Sequence, residues 1–325
     1  METKIKESKE ERAARIQANK ARLEAEKQEA AERRSNSEPK VCSRDYMLFP
    51  VEMRDEEMPS NSDYCKRIVG QINGGDFLLN QCSPVYELVP NIEIFPKIEE
   101  VLDNNGIKYV AKYTHVKHVR FYADYTITDN RYAYNMNGTG DTIQPMLRVQ
   151  HSYNGLTKYR ITFGYFRLVC SNGLVIPVKE MEEFNLVIVG KHTESIKLSF
   201  KKLDIMLHNF TQNAKQITTQ ITAKYEQLGG VWVANPQDRI AEVLKACDIA
   251  AVDNSKFNTI DDIVKRIEKE ANNNALGYNG KVNDFLIWNG INQYVNDNNV
   301  NIAVPEKRIE TDSKVLEYLL EYEPA

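Results

Sequence analysis

The stretch SYNGLTKYRITFGYFRLVCSNGLVIP, residues 152–177, is the most informative part of this chain. Its Asn154-Gly155 pair readily takes positive φ and is typical of a tight hairpin turn. After this turn, β-branched and aromatic residues alternate with polar ones, which indicates a strand with two different faces. We therefore predict a hairpin in which residues 145–152 pair with residues 156–169. It closes at a second turn, formed by residues 170–173.

The composition of the 325-residue chain is ordinary for a globular protein, with 42% hydrophobic and 27% charged residues. Its formal net charge of -4 means that any nucleic-acid surface would be a local basic patch on an acidic molecule. The five cysteines form no CxxC pair, which favours reduced thiols over disulfides or a thiolate zinc site. We expect no membrane partner, because no apolar run approaches spanning length and the N-terminus lacks the apolar region typical of a signal peptide.

Hydrophobic periodicity divides the chain into three regions. Residues 1–40 are mostly charged helix formers without an apolar stripe, so we expect a solvated helical arm or a disordered tail. Residues 41–200 are expected to form an α+β core domain, with a central antiparallel β-sheet and flanking helices. Its strands include 107–114 and 116–128, where Val, Tyr, Phe and Thr are frequent. Residues 201–325 are expected to form a helical C-terminal region.

Several helices are predicted from spacing and capping signals. A short helix is expected over 64–71, after the polar run 60–63. A second helix is expected over 92–102, with Asn91 as its N-cap, and a long one over 195–225. Four more are predicted in the C-terminal region, over 240–251, 259–272, 283–298 and 313–322.

Basic and aromatic residues alternate along the predicted strands. Such a sheet can bind single-stranded nucleic acid, because cations contact phosphates while bases stack on rings. A sheet with one buried and one solvated face gives the same alternation, so a purely structural interpretation stays open. The predicted phosphate contacts are Lys112, Lys117, Arg120, Arg148, Lys158, Arg160 and Arg167. The predicted stacking rings are Tyr113, Tyr122, Tyr159 and Tyr165. Only some of these residues can share a face, because side chains alternate along a strand.

Three other patterns have residue types that occur in catalytic, metal-binding or phosphate-binding sites. Cys170 and His151 could pair as nucleophile and base across the hairpin, but we favour a buried structural thiol. His115 and His118 would point to opposite faces of a continuous strand, so we predict no metal site. The glycine-rich segment 137–141 lacks the lysine and the frame of a phosphate-binding loop, and we predict an ordinary flexible loop.

A resemblance to a known family is carried by four motifs. They are Tyr86–Asn91 (YELVPN), Gly140-Asp141, Ser152–Gly155 (SYNG) and, above all, Arg167-Leu-Val-Cys170-Ser171-Asn172-Gly173. With these motifs, residues 81–200 resemble the phage/plasmid-like family known as domain of unknown function 932. The resemblance implies a phage, plasmid or other mobile-element origin. It brings no established activity, so it transfers no catalytic residues.

From the residues and the resemblance together, we expect a phage or mobile-element protein that binds single-stranded DNA or RNA. It would act without catalysis, cofactor or metal in replication or recombination, in the cytoplasm of the bacterial host. In outline it is similar to phage single-strand annealing proteins. The charged arm would mediate self-association into a homo-oligomer or contact a partner, and the virion is a second location to consider. The alternative is a structural or interaction protein of the phage particle, assembled through the arm and the helical region. That assembly should be insensitive to salt, whereas nucleic-acid binding should weaken steeply with it.

Overall fold

The computed structural model describes most of the chain beyond the N-terminal arm. The described residues are 40–55, 66–72, 74–135, 141–155, 157, 159–167, 193–254, 257–298 and 305–321. The predicted arm and the predicted turn at 170–173 lie outside these ranges. Antiparallel sheets and helices together make up the described part, which confirms the predicted α+β class.

Two antiparallel sheets contain the longer strands. The main sheet consists of β1 (Lys40–Cys42), β5 (Tyr109–Val116), β6 (Arg120–Ile127), β7 (Tyr134–Asn135), β8 (Thr142–Ser152) and β9 (Arg160–Arg167). Across it the order is β1, β5, β6, β8 and β9, and β7 pairs with the start of β8. The predicted hairpin is confirmed, since β8 pairs with β9 and places Val149 opposite Ile161.

The second sheet consists of β2 (Val51–Asp55), β3 (Lys66–Ile72) and β4 (Gly75–Cys82). The helix predicted over 64–71 is wrong, because residues 66–72 form the central strand β3. The polar run before it imitates a helix cap, but the strand is fixed by pairing on both sides. Gly70 permits a close approach here, since a Cβ at this position would lie 2.6 Å from Cε2 of Phe49.

Seven α-helices are described, of which the first is a single turn. They are α1 (Arg44–Met47), α2 (Asn91–Asn104), α3 (Thr193–Gly230), α4 (Pro236–Ala246), α5 (Thr259–Ala271), α6 (Asp284–Asn298) and α7 (Pro305–Glu321). The helices predicted over 92–102 and 195–225 are confirmed, as are the four in the C-terminal region. A two-stranded ribbon, β10 (Asp253–Asn254) and β11 (Phe257–Asn258), precedes α5. No described helix is both long and apolar enough to cross a membrane.

The long helix α3 connects the main sheet to the C-terminal helices. Along its first half it covers the inner face of β9: Tyr159 is hydrogen-bonded to Ser199 at 2.9 Å, and the ring of Phe163 meets Phe210 edge-on at 4.8 Å. Near its end, Tyr225 packs against Phe285 of α6. The predicted domain boundary at 200/201 therefore falls inside a helix that contributes to both parts of the core.

Candidate functional site

A cleft of about 640 Å³ lies where the turn between β5 and β6 approaches β1 and α1. Small-ligand sites are typically concave spaces of about 300–1,000 Å³ with a few convergent polar groups, so this cleft has a suitable size. Its lining residues include two lysines and, within the described part of the chain, no acidic side chain. They are Lys40, Val41, Cys42, Ser43, Tyr46, His115, Lys117 and His118.

Strand pairing brings distant segments together at this cleft. β1 pairs with the end of β5, which sets Lys40 opposite His115. The Ser43 hydroxyl accepts the backbone N–H of Tyr46 and starts α1, which turns the Tyr46 ring toward the same edge of the sheet. From the second sheet, Phe77 reaches to within 6.1 Å of the His118 ring, measured between ring centroids.

The two histidines lie on the same side of the sheet, contrary to the prediction. β5 ends at Val116, and Lys117 and His118 adopt left-handed conformations with φ of 53° and 59°. This tight turn brings the imidazoles of His115 and His118 into a stack with centroids 4.8 Å apart. Left-handed φ in two successive residues with side chains costs roughly 1–2 kcal/mol each, and such strain clusters at functional sites.

The pKa shifts of Cys42, Tyr46 and the two histidines favour the neutral form of each near pH 7. Burial lowers the pKa of both His115 and His118, and the charge of Lys40 lowers the pKa of each further. The Tyr46 hydroxyl is hydrogen-bonded to Nδ1 of His118. Burial raises the pKa of the Cys42 thiol to about 11, so it is no thiolate nucleophile at neutral pH.

This edge of the sheet carries two histidines and a cysteine, residue types that can bind metals. Among the residues with a described placement, no group of three or more His, Cys, Asp or Glu side chains is arranged to hold a metal ion. The lining of the cleft supplies two lysines and the rings of Tyr46, His115 and His118.

The predicted binding residues divide between two faces of the main sheet. The register places Lys112, Asp124 and Arg148 in one row of the outer face, on neighbouring strands. Arg148 makes two hydrogen bonds to Asp124, at 2.6 and 2.8 Å, so its charge is balanced within the protein. On the same face, Lys112 is exposed and Arg120 is partly exposed, whereas Arg160 is only 2% exposed.

The predicted tyrosine platform lies mostly in the core. Tyr159 and Tyr165 are 3% and 0% exposed on the inner face, and their hydroxyls are hydrogen-bonded to α3. This placement is at odds with a stacking role, because no base can reach these rings. Tyr113 is also buried, whereas Tyr122 is partly exposed on the outer face. Lys158, the side chain of Arg167 and the motif residues Cys170, Ser171, Asn172 and Gly173 lie outside the described part.

Two family motifs meet in a buried hydrogen-bond network. The backbone N–H of Asn91 donates to the Tyr153 hydroxyl at 2.8 Å, and the Asn91 side chain donates to the Met47 carbonyl at 2.9 Å. The side-chain carbonyl oxygen of Asn91 lies 2.9 Å from Nδ1 of His151. The predicted N-cap role of Asn91 is wrong, because Pro90 occupies that position and the amide is used for tertiary contacts. These motif residues hold the core together and do not line the cleft.

The motif residue Asp141 has a similar role. Its side chain is fully buried and accepts a hydrogen bond of 2.8 Å from the Tyr278 hydroxyl, which belongs to the helical half of the chain. Asp141 therefore links the start of β8 to the C-terminal region.

The buried imidazole of His151 makes folding pH-dependent. Burial lowers its pKa to about 4, from an ordinary value of 6.5. Below pH 6.5 the unfolded chain binds a proton that the folded protein excludes, so stability is complete above pH 6.5 and falls toward pH 4. We expect His151 alone to account for a loss of about 3 kcal/mol between pH 7 and pH 4.

This prediction is tested by urea unfolding of the wild type and of His151→Gln at several pH values. The glutamine can still bond to Asn91 but does not titrate. Between pH 7 and pH 4 the variant should therefore lose about 3 kcal/mol less of its free energy of unfolding than the wild type. His115 and His118 serve as an internal reference, since they titrate in both proteins. Equal pH dependence of the two proteins would contradict a neutral, buried His151.

The comparison with protein families concerns the sheet and the first long helix. Residues 78–228 match the family model described as Domain of unknown function (DUF932), a range that begins in β4 and ends in α3. No curated protein and no solved structure matches the chain. The resemblance inferred from the motifs is thereby confirmed: over residues 78–228 this chain is similar to the family of domain of unknown function 932.

Proposed function

We propose that this protein binds single-stranded nucleic acid at the cleft, as a non-enzymatic accessory in the replication or recombination of a phage or mobile element. The observation that carries the proposal is the convergence of Lys40 and Lys117 with accessible aromatic rings. Tyr46 and His118 are partly exposed at the cleft, and Phe77 is 45% exposed beside it.

The chemistry of these groups fits an unpaired strand. An ammonium group is a compact point charge that contacts phosphate oxygens, and aromatic rings hold bases by stacking, at about 1–3 kcal/mol per base. A base within a duplex is covered by its neighbours on both faces, so it cannot stack on Phe77 or His118. We therefore expect a preference for single strands over duplex.

Two further predicted phosphate contacts lie on the outer face of the main sheet, the opposite side from His115. Arg120 begins β6 directly after the turn, and Lys112 is exposed on the outer face. A strand bound at the cleft would reach them only by passing around the edge of the sheet at β1. Arg148 is expected to contribute little, because Asp124 already balances its charge.

The biological setting rests on the family resemblance. A phage or plasmid origin would place the protein in the cytoplasm of a bacterial host, with DNA or RNA as its partner. Self-association through residues 1–40 stays a prediction and would let several clefts act along one strand.

The proposal is tested by fluorescence anisotropy with a labelled single-stranded oligonucleotide at several salt concentrations. The double variant Lys40→Glu/Lys117→Glu should lose at least about tenfold in affinity at low salt. For this variant, the slope of log K against log salt concentration should be shallower by about 1.4, since each phosphate contact to a single strand contributes about 0.7.

A matched control is available in the helical half. Lys245→Glu/Lys269→Glu changes the net charge equally, at two exposed lysines of α4 and α5. This control should bind like the wild type. Equal losses in both double variants would mean that only the net charge matters, and absence of binding by the wild type at low salt would refute the proposed function.

A further inference from the structure

We propose that the cleft holds the terminal nucleotide of the strand and recognises its phosphate monoester, with Lys40 and Lys117 on the phosphate and the rings of Tyr46 and His118 beside the base. This inference rests on the proposed function and deepens it, because the protein would then recognise phosphorylated strand ends.

The charge of the cleft favours a monoester. Lys40 and Lys117 supply two positive charges, and the lining residues include no carboxylate in the part of the chain that the structure describes. A terminal phosphate carries about -1.5 to -2 charges at pH 7, whereas a phosphodiester inside the strand carries one. Two ammonium groups therefore match a terminal phosphate better than an internal one.

Strand pairing places one of these ammonium groups beside the imidazoles. Lys40 lies opposite His115 in the sheet, and its charge lowers the pKa of both His115 and His118. A phosphate bound to Lys40 would therefore sit at the edge of the stacked imidazoles, where Nε2 of each ring can bond to phosphate or base, since Nδ1 of each is bonded within the protein.

The shape of the site favours a single nucleotide. A volume of about 640 Å³ falls in the range of small-ligand sites. β1, α1 and the β5–β6 turn line the cleft, so its contacts come from three elements that meet at one edge of the sheet. The Tyr46 ring lies 4.9 Å from the His115 ring between centroids, which gives the pocket an aromatic wall.

The test compares three labelled oligonucleotides of one sequence, bearing a 5′-phosphate, a 3′-phosphate or hydroxyl groups at both ends. Anisotropy should show at least about tenfold tighter binding for one phosphorylated end, as expected when an added charge meets two cations. A nucleoside 5′- or 3′-monophosphate of the matching end should compete, whereas the nucleoside should not.

Two variants assign the discrimination to the cleft. Lys40→Ala and Lys117→Ala should each reduce the preference for the phosphorylated end, whereas Lys245→Ala at an exposed position of α4 should leave it intact. If all three oligonucleotides bind within twofold of one another, end recognition is refuted while single-strand binding stands. If none binds at low salt but the monophosphate does, the proposed strand binding is refuted and the nucleotide pocket remains.

Discussion

Replacing Asp284 by alanine should destabilise the protein by about 3–5 kcal/mol, the usual cost of removing one partner from a buried ion pair. Asp284 is fully buried at the start of α6 and receives two hydrogen bonds from Arg239 of α4, at 3.0 and 2.8 Å. Arg239 is itself 7% exposed. In the variant, the buried guanidinium of Arg239 would keep its charge but would lose its main hydrogen-bond acceptor.

Urea unfolding followed by the fluorescence of Trp288 measures this effect, because Trp288 is buried on the same helix. Asp262→Ala is the control: Asp262 also pairs with an arginine, Arg266, but both side chains are partly exposed, at 31% and 25%. That exposed pair should contribute less than about 1 kcal/mol. Similar losses in the two variants would contradict a dominant role for the buried pair.

Replacing Glu99 by leucine should cost about 3 kcal/mol. The Glu99 carboxylate on α2 accepts hydrogen bonds from the Tyr113 and Tyr125 hydroxyls, at 2.6 and 3.3 Å, and from the Arg44 guanidinium. Without it, two buried hydroxyls lose their acceptor, and each unsatisfied buried group costs about 1–3 kcal/mol. Burial, with a contribution from the Glu99 charge, raises the pKa of both tyrosines, so they stay protonated donors.

The neighbouring Glu100→Leu provides the control, because Glu100 is exposed and pairs with exposed Lys97 at 2.6 Å. This variant should change the free energy of unfolding by less than about 1 kcal/mol. Glu99→Leu should also weaken oligonucleotide binding, since Arg44 and Tyr46 belong to the same turn, α1. Equal stability of the two variants would mean that the buried carboxylate is not a structural centre.

The elements with local signals were predictable from sequence. Helix α3 has apolar residues at helical spacing, and the β8–β9 hairpin alternates around an Asn-Gly turn, so both were found. The strand β3 was missed because a polar run before it resembles a helix cap, and only pairing with β2 and β4 reveals the strand. Asn91 resembles a helix cap in sequence because it precedes an apolar helical pattern. Its actual partners, Met47 and His151, are distant in sequence.

The cleft was harder to predict because it is assembled by tertiary structure. Lys40 and Tyr46 meet His115 through the pairing of β1 with β5, across about 70 residues of sequence. The His-Val-Lys-His segment was a visible signal, but periodicity cannot show that the strand ends at Val116 and that His118 folds back. Likewise, alternation alone cannot show that α3 covers Tyr159 and Tyr165.

The most direct test of nucleic-acid binding at the cleft is photochemical cross-linking of a 5-iodouracil oligonucleotide to the full chain, followed by mass spectrometry of the peptides. If the strand binds at the cleft, adducts form on Tyr46, Phe77 or His118, and they are lost when excess unlabelled single strand competes. Adducts confined to the helical half, residues 236–321, would contradict it.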